Sequence, residues 1–164
     1  QMRTIFVGEF AKINEYFGQV FEEMFGGGKG QLLLEDPEEP LTCGIEIRVQ
    51  PPGKQVKTIT LLSGGEKAFV AIALYFAILK VRPTPFCMLD EIDAALDDRN
   101  VERFATYLHN LSKKTQFIVI THRRGTMEAS DVLYGVTMQD EGVSKLLELR
   151  ASEIEQKLGM DAAK

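Results

Sequence analysis

Phe86-Cys87-Met88-Leu89-Asp90-Glu91 is a run of four apolar residues that stops abruptly at two adjacent acids. So short a run, without alternation, suits a strand covered on both faces in a parallel sheet. Working outward, the sequence predicts one helix from about Gly64 to Lys80 and another from about Asp98 to Ser112. A second doubly buried strand, Gln116 to Ile120, follows. From Thr58 onward the order is apolar strand, turn, helix, apolar strand, helix, apolar strand. That alternation builds a parallel sheet with crossover helices, so the fold class is α/β.

Upstream, Phe6, Phe10, Ile13, Phe17, Val20, Phe21 and Met24 recur at helical spacing, with Glu9, Lys12, Glu15, Glu22 and Glu23 mostly between them. This predicts an amphipathic helix of about six turns. Gly26-Gly27-Gly28 stops it. Gln31 to Leu34 reads as a short strand ended by the acidic, proline-containing segment Glu35 to Pro40, and Ile45 to Val49 alternates like a strand with one wet face. These early strands are expected to form an antiparallel layer. Downstream, Val132 to Met138 and Val143 to Leu149 predict a β-hairpin joined through Gln139-Asp140-Glu141-Gly142, the glycine supplying a positive φ. Ser152 to Leu158 can form one more helix before a frayed end.

The chain has 164 residues, 45% hydrophobic and 26% charged, an ordinary globular composition with length enough for one core. We expect a single domain over 1–164, with an opening helix (1–25), a main lobe (30–150) and a tail (151–164). A formal charge of −5 argues against binding nucleic acid through bulk electrostatics, which takes clustered Lys and Arg. Cys43 and Cys87 are far apart and lack metal-ligand spacing; both read as reduced thiols of a cytosolic protein. No apolar stretch is long enough to span a bilayer, and the first residues lack the pattern of a signal peptide.

Three segments carry chemistry. In Leu61-Leu62-Ser63-Gly64-Gly65-Glu66-Lys67, Ser63 and Glu66 have the spacing of a capping box. A cap does not account for two consecutive glycines in the first helical turn, each costing about 1 kcal/mol relative to alanine. Bare amides and a serine hydroxyl at a helix start also suit a phosphate, and the residues alone leave both readings open. Asp90 and Glu91 fall at the carboxyl end of a strand, where ligands of open α/β sheets bind. The first carboxylate can support the water shell of Mg²⁺ and the second can polarise an attacking water; two acids in a solvated turn look the same. Asp93 extends this acidic edge, while Asp97 and Asp98 are equally suited to cap the next helix. Thr121-His122 ends the second buried strand on the same edge; His122 is either structural or a hydrogen-bond donor to a terminal phosphate. His109 reads as a surface or packing residue.

In this order, Leu-Ser-Gly-Gly-Glu, apolar strand with Asp-Glu, Ala-Leu-Asp, and strand-Thr-His, the motifs resemble the ABC ATPase superfamily. The resemblance implies that Ser63, Gly64, Gly65 and Glu66 are the signature motif and Asp90 and Glu91 the Walker B acids. It makes Ala95-Leu96-Asp97 the D-loop and His122 the switch histidine. ATP and Mg²⁺ are the implied cofactors: Glu91 and His122 catalytic, Asp90 toward Mg²⁺ through water, and Ser63 to Glu66 with Asp97 toward nucleotide. A GxxxxGK[ST] phosphate loop is missing. Gly28-Lys29 has Glu23 and Gly30 at the flanking positions, and Gly53-Lys54 has Arg48 and Gln55.

Signature, Walker B and switch without a phosphate loop is the organisation of SMC (structural maintenance of chromosomes) proteins, whose head is split between the two chain ends. Phe25-Gly26-Gly27-Gly28, Pro51-Pro52-Gly53-Lys54 and Leu133-Tyr134-Gly135-Val136-Thr137-Met138 are similar to the bacterial type. The resemblance covers about Phe6 to Leu149. It implies the carboxy-terminal lobe of an ABC-type head: a largely parallel sheet with flanking helices, added antiparallel strands and a terminal hairpin. The opening helix then continues a coiled-coil arm. Implied partners are the amino-terminal head lobe, a second SMC head, a kleisin subunit and, through the full complex, DNA; the implied setting is the cytoplasm, at the nucleoid, with no membrane. The chain is then inactive alone. Alternatives are mainly a kleisin-docking platform, a split-head ATPase of double-strand-break repair, or a transporter nucleotide-binding domain, the last disfavoured because transporters carry the phosphate loop upstream in the same compact domain.

Overall fold

The computed structural model describes residues 1–138 and 142–150. Helix α1 runs Met2–Phe25, and its regular Phe spacing buries Phe17, Val20, Phe21, Met24 and Phe25 on one side. Its first turns are different: Met2, Ile5 and Val7 are exposed. Gly26 ends the helix in the left-handed region (φ 69°), its amide donating to the Glu22 carbonyl, as the glycine run predicts.

Strands β1 (Lys29–Leu34), β2 (Ile45–Gln50) and β3 (Lys57–Thr58) form the expected antiparallel layer in the order β1-β2-β3. The Asn14 side-chain oxygen accepts from the Leu32 amide at 2.7 Å, fixing this layer to α1. One expectation fails here: Thr58 does not open the parallel sheet. Lys57 and Thr58 pair antiparallel with β2, and a single 3-10 turn, Ile59–Leu61, leads into α2. Two residues give too few ladder bonds for an independent strand, so the segment completes the layer its neighbour had begun.

Helix α2 (Gly64–Val81), strand β4 (Phe86–Asp90), helix α3 (Asp98–Leu111) and strand β5 (Gln116–Ile120) form the predicted crossover unit, with β4 and β5 parallel. A short helix α4 (Arg124–Glu128), unpredicted, follows. Phe76 is fully buried at the centre, its ring 6.1 Å from Phe104, 5.4 Å from Tyr107 and 6.3 Å from Phe117. The core thus joins α2 and α3 to one face of the strand pair.

Two further expectations are corrected. The strands are not doubly buried: Cys87 and Leu89 point into the core, while Phe86, Met88, Ile118 and Ile120 on the other face are 44–61% exposed. Helices cover one side alone, and the apolar run records a face left open. Nor is the sheet largely parallel, because among the described residues the parallel part is β4 and β5 alone. Strands β6 (Val132–Met138) and β7 (Ser144–Arg150) form the predicted hairpin, from Val132 opposite Arg150 to Met138 opposite Ser144, with Gly142 at φ 78°. Tyr134, Val136, Met138, Leu146 and Leu147 stand exposed on it. The rest of its turn, and the helix predicted over Ser152 to Leu158, lie outside the described residues.

Both cysteines are free thiols, Cys43 partly exposed and Cys87 buried. No described helix is long and apolar enough to cross a membrane.

Candidate functional site

Parallel pairing of β4 with β5 sets Asp90 opposite Ile120, so the carboxyl ends of both strands lie side by side. The Glu91 amide continues the ladder with a 2.9 Å bond to the Ile120 carbonyl. Glu91 then turns away at φ 48°, the one non-glycine residue with positive φ among those described. Such a conformation costs on the order of 1 kcal/mol or more and is kept where surrounding structure enforces it. It turns the chain out of the strand so that Glu91 Oε1 lies 3.6 Å from His122 Nδ1, both side chains about 60% exposed. The expectation that the acid and the histidine share one edge is met by this geometry. Asp90 is exposed beside them, and no described side chain pairs with it.

Asp93 departs from expectation. It does not extend an acidic edge: it is fully buried. Its Oδ2 accepts from Thr121 Oγ1 at 2.8 Å and Thr126 Oγ1 at 2.5 Å, and Thr121 Oγ1 in turn accepts from the Arg123 amide at 2.9 Å. Oδ1 has no partner among the described residues. Asp93 therefore ties the loop after Glu91 to the segment carrying His122. The side chain of Arg123 donates to Asp98 Oδ1 at 2.7 Å, joining the same segment to the start of α3. A carboxylate in the sequence Glu-Ile-Asp gives no sign of burial; the threonines at 121 and 126 were the available signal, legible only once β5 is known to run beside β4.

Asp97 caps α3: its Oδ1 accepts from the Asn100 amide at 2.8 Å and its Oδ2 from the Asn100 side chain at 3.1 Å. Of the two possible caps it is Asp97, not Asp98, that fills the role. His109 is exposed in the last turn of α3, away from these loops.

At the start of α2 the capping box is complete. Ser63 Oγ accepts from the Glu66 amide at 3.4 Å, and Glu66 Oε2 accepts from the Ser63 amide and hydroxyl, each at 3.0 Å. Glu66 Oε1 accepts from Lys54 Nζ at 2.6 Å. Lys54 first, then the two Ser63 donors, hold the Glu66 carboxyl down to about 2. The two glycines part company. A Cβ on Gly65 would stand 3.1 Å from the Ala95 carbonyl oxygen, so Gly65 lets α2 approach the loop before Asp97. A Cβ on Gly64 would meet nothing, so the packing of this chain gives no reason for that glycine.

Because Glu66 loses its proton more readily folded than unfolded, its contribution is present above its ordinary value of 4.5 and lost as pH falls through about 2. With solvent screening, Glu66→Gln is expected to lower unfolding free energy by about 1 kcal/mol near pH 6 and by progressively less as pH falls toward 2. Urea titrations at several pH values measure this difference.

An edge bearing two exposed acids and a histidine suits hydrolysis at a phosphate: a carboxylate beside open space can polarise water, and an imidazole can donate to an oxyanion. The donor set also fits Mg²⁺. No group of three or more ligating side chains exists among the described residues, and Mg²⁺ bound with phosphates needs one or two carboxylates with water. Asp90 meets that requirement.

The α/β fold is that of an ABC-type ATPase head. The chain belongs to the RecF/RecN/SMC N-terminal domain family, which it matches over residues 24–145. It is 58% identical over 153 residues to the chromosome partition protein Smc of Bacillus subtilis, covering 93% of this chain and 13% of that protein. To the same-named protein of Desulfitobacterium hafniense it is 60% identical over 141 residues, 86% of this chain and 12% of that one. It thus spans about an eighth of the length of these curated relatives. Among solved structures, a chain from work on ATP-driven dimerization and DNA-stimulated activation of SMC ATPases superposes with a TM-score of 0.84 at 42% identity, covering 96% of this chain and 97% of that one. An Smc head with an extended coiled coil, bound to the C-terminal domain of ScpA and derived from Pyrococcus furiosus, gives 0.82 at 44% identity, covering 96% of this chain and 39% of that one.

Proposed function

We propose that this chain is the carboxy-terminal lobe of a split SMC ATPase head, hydrolysing ATP only with an amino-terminal lobe and serving chromosome condensation and segregation. The observation that carries the reading is the convergence of Glu91 and His122, 3.6 Å apart, at the shared end of β4 and β5, in a sequence without a phosphate loop. The matched family is described by an N-terminal domain. Assignment to the carboxy-terminal half rests instead on the motif order and on the exposed apolar face of Phe86, Met88, Ile118 and Ile120, which a second lobe can cover.

In this reading the amino-terminal lobe holds the ATP phosphates. Asp90 would hold Mg²⁺, which when bound would supply neutralisation of charge on the phosphates. Glu91 accepts a proton from the attacking water, and His122 donates to the terminal phosphate. Ser63 and the amides of Gly64 and Gly65 meet the phosphate of a nucleotide held by a second SMC head, with Glu66 fixing the serine and Asp97 holding the neighbouring loop. Binding then draws heads together and hydrolysis releases them, moving the arms that α1 continues. The relatives named as chromosome partition proteins support this over a repair or transporter ATPase. The setting is the cytoplasm at the nucleoid, with DNA engaged by the full complex.

A kleisin-docking role accompanies the enzymatic one. It is supported by the similar head bound to ScpA and by the exposed Tyr134, Val136 and Met138 of the hairpin.

The test is ATP turnover by this chain alone, by the amino-terminal head segment alone, and by the two mixed. Turnover should appear in the mixture only. Turnover by this chain alone, or ATP-driven head pairing that survives Ser63→Arg, overturns the reading.

A further inference from the structure

Lys54 belongs to no motif that the proposed reaction uses, yet it makes the shortest contact at the start of α2. It sits in the turn after β2, where Gly53 at φ 73° and a 3.0 Å bond from the Lys54 amide to the Pro51 carbonyl fold the chain back. Gln50 Nε2 donates to the Lys54 carbonyl at 3.2 Å, holding the turn against its strand. Lys54 Nζ then reaches Glu66 Oε1 at 2.6 Å, with 54% of the Lys54 side chain exposed and 23% of the Glu66 one.

The proposed site has an electrostatic difficulty that this contact answers. A helix start attracts a phosphate through its amides and dipole. Glu66 lies in that same first turn, and its negative charge opposes an incoming anion. Glu66 also occupies the Ser63 hydroxyl, which donates to Glu66 Oε2 at 3.0 Å. Without compensation, the residue that caps the helix repels the ligand and competes for the serine proton.

We propose that Lys54 is a positioning residue that neutralises Glu66, so that Ser63 and the glycine amides are free to receive the phosphate presented by a second head. This rests on the reading of Ser63 to Glu66 as a trans-acting phosphate contact. What the cation offsets is the charge: the Ser63 amide and hydroxyl both still donate to Oε2 at 3.0 Å beside it, and an incoming phosphate then competes for the hydroxyl against a neutralised carboxylate. Glutamine at position 66 preserves the capping geometry without the charge, so it removes the need for Lys54.

The experiment uses the reconstituted two-lobe head carrying Glu91→Gln, with ATP-dependent pairing followed by sedimentation velocity as ATP is varied. Lys54→Met is expected to weaken pairing by about three- to tenfold. Lys54→Arg is expected to return within about twofold of the parent, and the double variant Lys54→Met with Glu66→Gln to pair at least about threefold more tightly than Lys54→Met alone. A purely structural lysine predicts no rescue by Glu66→Gln, since neither partner of the bridge then remains. Unchanged pairing in Lys54→Met, or a double variant no better than the single one, overturns the proposal. Parent heads that do not pair with ATP at all overturn the reading of the signature itself. Nucleotide binding to the separate amino-terminal lobe is the control that Lys54 cannot affect.

Discussion

Glu91→Gln in the reconstituted head is expected to slow ATP turnover by about 10²- to 10⁴-fold, the range lost with a general base, while leaving ATP-driven head pairing intact. Glutamine keeps the size of the side chain, and it inherits the positive φ and the amide bond to Ile120 that aim residue 91 out of the strand. What it loses is the ability to accept a proton beside His122. Under the proposed function pairing is made through Ser63 and the start of α2 and not through Glu91, so it should persist and dissociate more slowly once hydrolysis is blocked. Single-turnover kinetics together with sedimentation separate the two effects. A rate within about threefold of the parent removes Glu91 as base. Loss of turnover accompanied by loss of pairing makes the residue a structural support of the interface instead.

What was legible in the sequence and what was not divide along a physical line. Local signals carried: the Ser63–Glu66 capping box, the glycine end of α1, the antiparallel β1–β2 pair and the parallel β4–β5 pair all follow from spacing and residue type. Statements about surroundings did not. An apolar run tells how greasy a strand is, but not what is at hand to cover it, and so β4 and β5 were expected to be buried on faces that stand open. Asp93 failed for a related reason, since its burial depends on two threonine hydroxyls, at positions 121 and 126, that arrive from a distant segment. Lys54 and Glu66 are twelve residues apart and meet only because the turn after β2 folds back on α2. At the edge itself, sequence predicted that Asp90, Glu91 and His122 would gather, and parallel register makes that a consequence of strand length; the backbone twist at Glu91 that directs its side chain carries no sequence signal at all.

The glycines give the sharpest contrast in stability, and it runs in opposite directions at two positions. The run at 26–28 reads as a helix stop, which explains Gly26. Gly28 does something further: at φ 89° it lies between the end of α1 and the start of β1, and a Cβ there would stand 2.2 Å from the carbonyl oxygen of Gln50 at the end of β2 and 3.2 Å from the Phe21 ring. Gln50 pairs with Lys29 in the ladder, so its oxygen cannot retreat without dragging the strand register. Phe21 is fully buried and stacked on Phe25 at 4.0 Å. Gly28→Ala therefore combines left-handed strain, on the order of 1–3 kcal/mol, with overpacking of similar size, and is expected to lower unfolding free energy by about 3 kcal/mol or more. Gly8 is the opposite case: it lies within α1, and a Cβ there would meet nothing within 4 Å. Gly8→Ala should raise stability, by up to about 1 kcal/mol, through helix propensity alone. Urea unfolding of the two variants beside the parent decides the matter. A Gly28→Ala chain as stable as the parent means that the end of β2 and the Phe21 ring do not stand so close to Gly28, and the packing of the antiparallel layer on α1 described above is then wrong.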